Sequence, residues 1–180
     1  MKTVLSLFCM LGFGWCLWSC NPVQSYSEIP EIHFKQLTVE DRQYTDIGII
    51  RSAVLTFSFL DGDGDIGEID PDTKNPVSRI YYTWYQKLPD QTYKQYEFSK
   101  DVITQASNIP YNSLMNKDEA QNKTLKGAIE IVISTPSISE GIDTMRIEYY
   151  ITDRAVHSSN VDQTPDFSIR NITDVPIKAK

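Results

Sequence analysis

Cysteine is absent from the chain beyond residue 20. All three cysteines, Cys9, Cys16 and Cys20, lie in the first twenty of 180 residues. The rest of the chain therefore forms no disulfide within itself, builds no cysteine-ligated zinc site and offers no cysteine nucleophile. Its stability has to come from a hydrophobic core, and a chain of this length is long enough for one domain with such a core.

Histidine is almost as scarce, and the sequence has only His33 and His157. His33 stands between Ile32 and Phe34 in an alternating segment, which places it on the solvated face of a strand. His157 is interpreted as a loop residue, because calcium prefers oxygen ligands to imidazole. No HExxH, GxSxG, phosphate-loop or dinucleotide motif occurs. The sequence therefore predicts that the protein is not an enzyme.

Positive charge is also in deficit. The chain has 17 lysines and arginines against 24 acidic residues, a formal net charge of −7. Lys2 is the only charged residue before Cys20, so the chain without its N-terminal segment carries −8. An acidic domain repels phosphate backbones, and we therefore expect no nucleic-acid partner.

One long apolar run is present, from Val4 to Trp18. It is shorter than the roughly 20 apolar residues that span a bilayer, but it fits the core of a secretory signal. Leu17-Trp18-Ser19-Cys20 resembles a bacterial lipobox. We predict that residues 1–19 are a lipoprotein signal peptide and that Cys20 is lipidated. A conventional signal peptide cut nearby and an uncleaved anchor are the alternatives.

The residues after Cys20 suggest where the anchored protein lies. Asn21 is not acidic, so the aspartate type of inner-membrane retention signal is absent, and by analogy we expect the outer membrane. Acidic residues are missing as far as Ser27, which favours the periplasmic face over the cell surface. We predict a polar tether over residues 20–28 and one domain over residues 29–180.

Alternating apolar residues with period two dominate the predicted domain, which is the pattern of strands with one face in a core. They are Ile32 and Phe34; Leu55, Phe57 and Phe59; Ile80, Tyr82 and Trp84; Tyr96 and Phe98; Ile129, Ile131 and Ile133; Met145, Ile147, Tyr149 and Ile151; and Phe167 and Ile169. Only residues 113–125 favour a short helix. The sequence predicts an all-β fold, a single immunoglobulin-like antiparallel β-sandwich of about seven strands. A barrel is the alternative.

The densest polar feature is an acidic segment from Asp61 to Asp72, with six carboxylates in twelve residues. Calcium takes six to eight oxygen ligands, and interspersed glycines allow tight turns. We predict a calcium site whose candidate ligands are Asp61, Asp63, Asp65, Glu68 and Asp72. Ile66 occupies the position where an EF-hand has glycine, and a strand precedes the segment, so this is not an EF-hand. The alternative is a solvated Asp-Gly turn.

The same segment carries a family resemblance. Asp61-Gly62-Asp63-Gly64-Asp65-Ile66-Gly67 resembles the "DGDGDIG" motif of small, uncharacterised lipoproteins of Bacteroidota. Those proteins carry a later "DRAGNxSN" motif, which is similar to residues 153–160, and residues 109–130 are also similar. Val156 and His157 stand where that motif has glycine and asparagine. The resemblance implies a lipoprotein with an immunoglobulin-like sandwich and no known activity.

The resemblance also adds one candidate ligand. It implies that Asp153, which follows a predicted strand, approaches the acidic segment and joins the metal ligands. Arg154 is the alternative, since its guanidinium would neutralise the carboxylates without a metal.

These observations lead to a functional hypothesis. We expect a membrane-anchored, non-enzymatic cell-envelope lipoprotein that acts as a structural or binding module and is stabilised by calcium. The alternative is an outer-membrane lipoprotein that binds a glycan or an envelope protein, with Tyr81, Tyr82, Trp84 and Tyr85 as an aromatic platform.

Overall fold

The structure is a computed structural model that describes residues 25–67, 78–109, 124–137, 143–173 and 175–179. Several sequence predictions fall outside these ranges. They are the signal peptide, the lipidated Cys20, the candidate ligands Glu68 and Asp72, and nearly all of the short helix expected over residues 113–125. The last residue of that expected helix begins a strand instead.

The described residues form ten strands and no helix. The strands are β1 (Glu31–Tyr44), β2 (Gly48–Asp61), β3 (Arg79–Lys87), β4 (Tyr93–Gln95), β5 (Thr104–Asn108), β6 (Leu125–Ser134), β7 (Thr144–Thr152), β8 (Asp162–Gln163), β9 (Phe167–Ser168) and β10 (Ile177–Lys178). Within these ranges, no helix is long and apolar enough to cross a membrane.

The strands form two antiparallel sheets that pack face to face. One sheet has the order β10-β1-β2-β6, and the other has the order β4-β3-β7-β8, with β5 also paired to β3 and β9 to β7. Each sheet pairs strands that are distant in the sequence, β2 with β6 and β3 with β7, as in immunoglobulin-like sandwiches. The predicted all-β, immunoglobulin-like sandwich is therefore confirmed.

The core lies between the sheets and follows the period-two pattern. Trp84 and Phe57 come from opposite sheets and are fully buried, and Phe57 packs on Tyr149 with ring centroids 5.3 Å apart. Tyr82 is also buried, whereas its neighbour Tyr81 is half-buried on the outer face of its sheet. Two of the four residues of the expected aromatic platform therefore belong to the core.

The register of the strands brings two loops to one end of the sandwich. Glu31, the first residue of β1, pairs with Leu60, so the chain enters the first sheet where β2 ends. In the other sheet, Arg79 at the start of β3 pairs with Thr152 at the end of β7. Hydrogen bonds from residues 154 and 155 to Asp65 show that the loop after β2 and the loop after β7 are neighbours. We call residues 61–67 the acidic loop and residues 153–160 the β7–β8 loop.

Candidate metal site

Asp61 is the last residue of β2 and the first residue of the acidic loop, and it is fully buried. Its Oδ2 accepts a hydrogen bond of 2.8 Å from the backbone N–H of Asp65, which closes the loop on itself. Gly64 and Gly67 have φ values of 71° and 96°, a left-handed conformation that glycine adopts without strain. The glycines therefore allow the chain to curl around the Asp61 carboxylate.

Ile66 holds the acidic loop on the domain. This side chain is fully buried and belongs to the hydrophobic core. It replaces the glycine of an EF-hand because here the loop is attached to a sandwich rather than suspended between two helices. Burying an isoleucine contributes about 1.5–3 kcal/mol. The loop is therefore a packed part of the fold and not a freely solvated turn.

Three carboxylates converge inside the acidic loop. Oxygens of Asp61, Asp63 and Asp65 lie within 4.8 Å of one another. The Oδ1 atoms of all three residues are buried and have no hydrogen-bond partner. Buried polar atoms without a partner cost about 1–3 kcal/mol each, and more when they are charged. Three carboxylates that converge, each with one buried oxygen that lacks a partner, are the arrangement expected of a cation site.

The electrostatics of the cluster agree with this geometry. Burial and the nearby Asp63 carboxylate raise the pKa of Asp61 to about 7. Burial raises the pKa of Asp65 as well, and the charges of Asp153 and Asp63 add to the shift. Ionisation of Asp61 and Asp65 therefore costs free energy in the ion-free protein, and a bound cation would reduce that cost.

Asp153 lies beside this cluster but is occupied by its own loop. The residue is 1% exposed. Its Oδ1 accepts the backbone N–H of His157 at 2.7 Å, and its Oδ2 lies 3.0 Å from His157 Nδ1. The negative charge of Asp153 contributes to the raised pKa values of Asp61 and Asp65. Among the described residues, however, only Asp61, Asp63 and Asp65 form the converging group.

The β7–β8 loop closes over the acidic loop through its backbone. The N–H of Ala155 donates to Asp65 Oδ2 at 2.9 Å, and the N–H of Arg154 donates to the Asp65 carbonyl at 3.3 Å. Val156 adopts a φ of 70° at the motif position where glycine is usual. A β-branched residue is strained in this region, so the local turn is held by the surrounding hydrogen bonds.

Arg154 does not neutralise the cluster by direct pairing. Its Nη1 donates to the Gly67 carbonyl at 3.2 Å, and its charge lowers the pKa of Asp65 less than burial and neighbouring carboxylates raise it. In the described part of the chain it makes no ion pair with Asp61, Asp63 or Asp65. The guanidinium therefore contacts the end of the loop and forms no direct ion pair with the three carboxylates.

The role of one residue of the site, Gly62, was not predicted from the sequence. Gly62 donates its N–H to the carbonyl of Ser27 at 2.8 Å, although Ser27 falls in the segment expected to be a free tether. A β-carbon at Gly62 would lie 2.4 Å from the Ser27 carbonyl oxygen and 2.5 Å from that of Tyr26. Glycine is therefore required by close approach of another backbone, and no local sequence pattern signals that contact.

Comparisons with known proteins give only a distant structural likeness. No protein-family model matches the sequence, and no curated protein matches it. The solved structures that match include that of wild-type OgpA from Akkermansia muciniphila, with a TM-score of 0.36 and 12% sequence identity. The match covers 88% of this chain and 33% of that one, so the chain spans about a third of the length of that protein.

Proposed function

We propose that the protein is a lipid-anchored, non-enzymatic module of the cell envelope whose acidic loop binds calcium. The observation that carries the cation site is that the carboxylates of Asp61, Asp63 and Asp65 converge, and that each has a buried Oδ1 without a hydrogen-bond donor. A cation in their midst would satisfy all three at once. It would also offset the burial and the repulsion by Asp63 that together raise the pKa of Asp61.

The chemistry of the donors selects a hard cation. In the described part of the chain, no histidine nitrogen joins the converging group, and there is no cysteine. Carboxylate oxygens alone suit calcium or magnesium rather than zinc or copper. Calcium is preferred here because it accepts irregular geometry and a variable number of ligands, including carbonyls and water, whereas magnesium demands a near-ideal octahedron.

The cellular location rests on the N-terminal sequence. The apolar run that ends in the lipobox-like Leu17-Trp18-Ser19-Cys20 supports lipidation of Cys20 and an outer-membrane anchor, with the domain on the periplasmic side. Each buried methylene contributes about 0.8 kcal/mol, so several acyl chains on one cysteine hold a domain on a membrane for long times. Mass spectrometry of the protein purified from membranes tests this directly, through an acylated N-terminal cysteine and the loss of residues 1–19.

A calcium titration of residues 21–180 tests the cation site, because this span contains every described residue. We expect saturable binding heat and a higher melting temperature in calcium than in EDTA. A cation at 100 times its dissociation constant stabilises the native state by about 2.7 kcal/mol, which corresponds to a shift of about 5–10 °C for a domain of this size.

Matched variants make the test specific. Asp63→Asn and Asp65→Asn keep the shape of each side chain and should remove most of the binding heat. Asp46→Asn makes the same charge change on an exposed residue near the β1–β2 turn, at the opposite end of the sandwich, and should leave the titration unchanged. Equal melting curves in saturating calcium and in EDTA would refute the proposed site.

A glycan- or protein-binding surface is the second candidate, and one aromatic pair favours it. Tyr81 and Tyr150 stack with centroids 4.9 Å apart on the outer face of the second sheet, and Tyr85 follows on the same face. Large half-buried rings on a sheet face are typical of recognition surfaces. Binding to a glycan array that is lost in Tyr81→Ala and kept in Asp63→Asn would favour this candidate over a purely structural module.

A further inference from the structure

Gly62 links the proposed ion to the segment where the chain enters the domain. It stands between two of the proposed ligands, Asp61 and Asp63. Its N–H donates to the Ser27 carbonyl at 2.8 Å, and its carbonyl accepts the hydroxyl of Thr124 at 3.4 Å. The peptide groups on both sides of Gly62 are therefore oriented by other parts of the chain.

The contact between Gly62 and the entering chain is close. The space that a side chain would occupy at Gly62 is filled by the carbonyl oxygens of Tyr26 and Ser27, at 2.5 and 2.4 Å from the position of a β-carbon. Ser25, Ser27, Glu28 and Ile29 are exposed, Tyr26 is half-buried and Pro30 is buried. Between residues 25 and 29, only Tyr26 therefore packs partly on the domain. The docking of this segment consequently depends on the conformation of the acidic loop.

We infer that the cation at Asp61, Asp63 and Asp65 docks the segment around Ser27 onto the domain and thereby sets the length of the free tether. This inference rests on the proposed function, both for the ion and for the anchor at Cys20. An ion that holds Asp61 and Asp63 fixes the backbone between them, and with it the donor that Ser27 requires. In the ion-free protein, the three carboxylates repel one another and loosen that donor.

The consequence is a change in reach. When Ser27 is docked, seven residue-to-residue steps join it to Cys20, an extended length of about 25 Å. When the segment is released as far as the buried Pro30, ten steps are free, and the extended length becomes about 35 Å. Loss of the ion would therefore let the domain stand further from the membrane, with greater orientational freedom.

A spin label reports this docking without disturbing the ligands. Residues 21–180 contain no cysteine, so Ser25→Cys offers one labelling site next to the docked segment, and Lys94→Cys on exposed β4 offers a matched control site. We expect the label at residue 25 to be immobilised in calcium and mobile in EDTA. The label at residue 94 should have the same mobility in both. Calorimetry on the same labelled proteins measures ion binding independently.

Gly62→Ala tests the coupling in the other direction. Its methyl group cannot coexist with the docked backbone, so the label at residue 25 should be mobile with and without calcium. Because coupling between two sites is reciprocal, the calcium affinity should also fall, by about tenfold. A chain that begins at Glu28 lacks the docked carbonyl and keeps every strand. It should show the same loss of affinity, even if Gly62→Ala does not fold.

The outcomes separate the two proposals. Binding heat together with unchanged mobility of the label at residue 25 would overturn the docking inference and leave the calcium site intact. Absence of binding heat would overturn both. Immobilisation by calcium at residue 25 alone, with a weaker calcium affinity in Gly62→Ala, supports the coupling.

Discussion

Replacing Asp61 by asparagine should stabilise the ion-free protein at neutral pH, although the residue is fully buried. Its carboxylate loses solvation and is repelled by Asp63, which raises the pKa from 3.8 to about 7. A raised pKa means that ionisation at neutral pH works against folding. The substituted amide would carry no charge, and its oxygen can still accept the N–H of Asp65.

The magnitude follows from the shift in pKa. About three pKa units at 1.36 kcal/mol each amount to about 4 kcal/mol at pH 7 and above. The new amide group must also find acceptors among the neighbouring carboxylates, so we expect a net gain of about 2–4 kcal/mol. For a domain of this size, this raises the melting temperature by roughly 10 °C.

The pH dependence of this gain has a definite direction. Well below pH 4, Asp61 is protonated in both the folded and the unfolded chain, so the substitution gains nothing there, and at pH 4 the gain is small. Between pH 4 and 7 the Asp61 carboxyl ionises readily only in the unfolded chain. The stability of the wild-type protein therefore falls as the pH rises. The gain from Asp61→Asn should therefore appear across this interval and be complete above pH 7.

Urea unfolding in EDTA at pH 4 and pH 8 provides the assay. Asp41→Asn is the matched control, because Arg51 binds Asp41 at 2.7 Å and holds the pKa of that carboxyl below its usual range. Asp41→Asn should lower the free energy of unfolding slightly at pH 8. A loss of stability in Asp61→Asn at pH 8, or a gain of equal size at pH 4, would refute the reasoning. The free energy of unfolding of Asp61→Asn should be the same in calcium as in EDTA.

Three further predictions concern the surroundings of the loop. Ile66→Ala removes a fully buried anchor and should cost about 2–5 kcal/mol in urea unfolding, with weaker calcium binding. Asn160→Ala should cost about 1–3 kcal/mol in urea unfolding, because the amide of Asn160 accepts the N–H of Ile32 and donates to its carbonyl; an unchanged free energy of unfolding would contradict this role. Asp153→Asn should lower the pKa of His157 in an NMR titration, because the Asp153 carboxylate raises it; an unchanged pKa would contradict the contact.

Much of the fold follows from local periodicity. Ile80, Tyr82 and Trp84 alternate as predicted and are buried. The first strand was only partly predicted, because its register shifts between Phe34 and Gln36. This bulge moves the core face from even to odd positions, so that Leu37 follows Ile32 into the core. A strict period of two cannot anticipate an irregularity that depends on the neighbouring strand.

The sequence predicted which aspartates form the candidate site but not how the surrounding residues are arranged. The spacing of Asp61, Asp63 and Asp65 indicated a cation loop, and these three carboxylates do converge. That both oxygens of Asp153 contact His157 follows from a turn that the sequence does not specify. The contact of Gly62 with residue 27 joins chain segments 35 positions apart, so only the assembled fold reveals it.

The long ladder between β1 and β2 places its two ends far apart. Each strand has 14 residues, and at about 3.4 Å per residue the ladder extends for roughly 45 Å. The acidic loop and the entry of the chain lie at one end of the ladder. Ile47 in the β1–β2 turn and Ile49 at the start of β2 lie at the other end, and both are about two-thirds exposed. In the anchored protein proposed above, this geometry would place Ile47 and Ile49 at the end of the sandwich that lies far from the lipid headgroups.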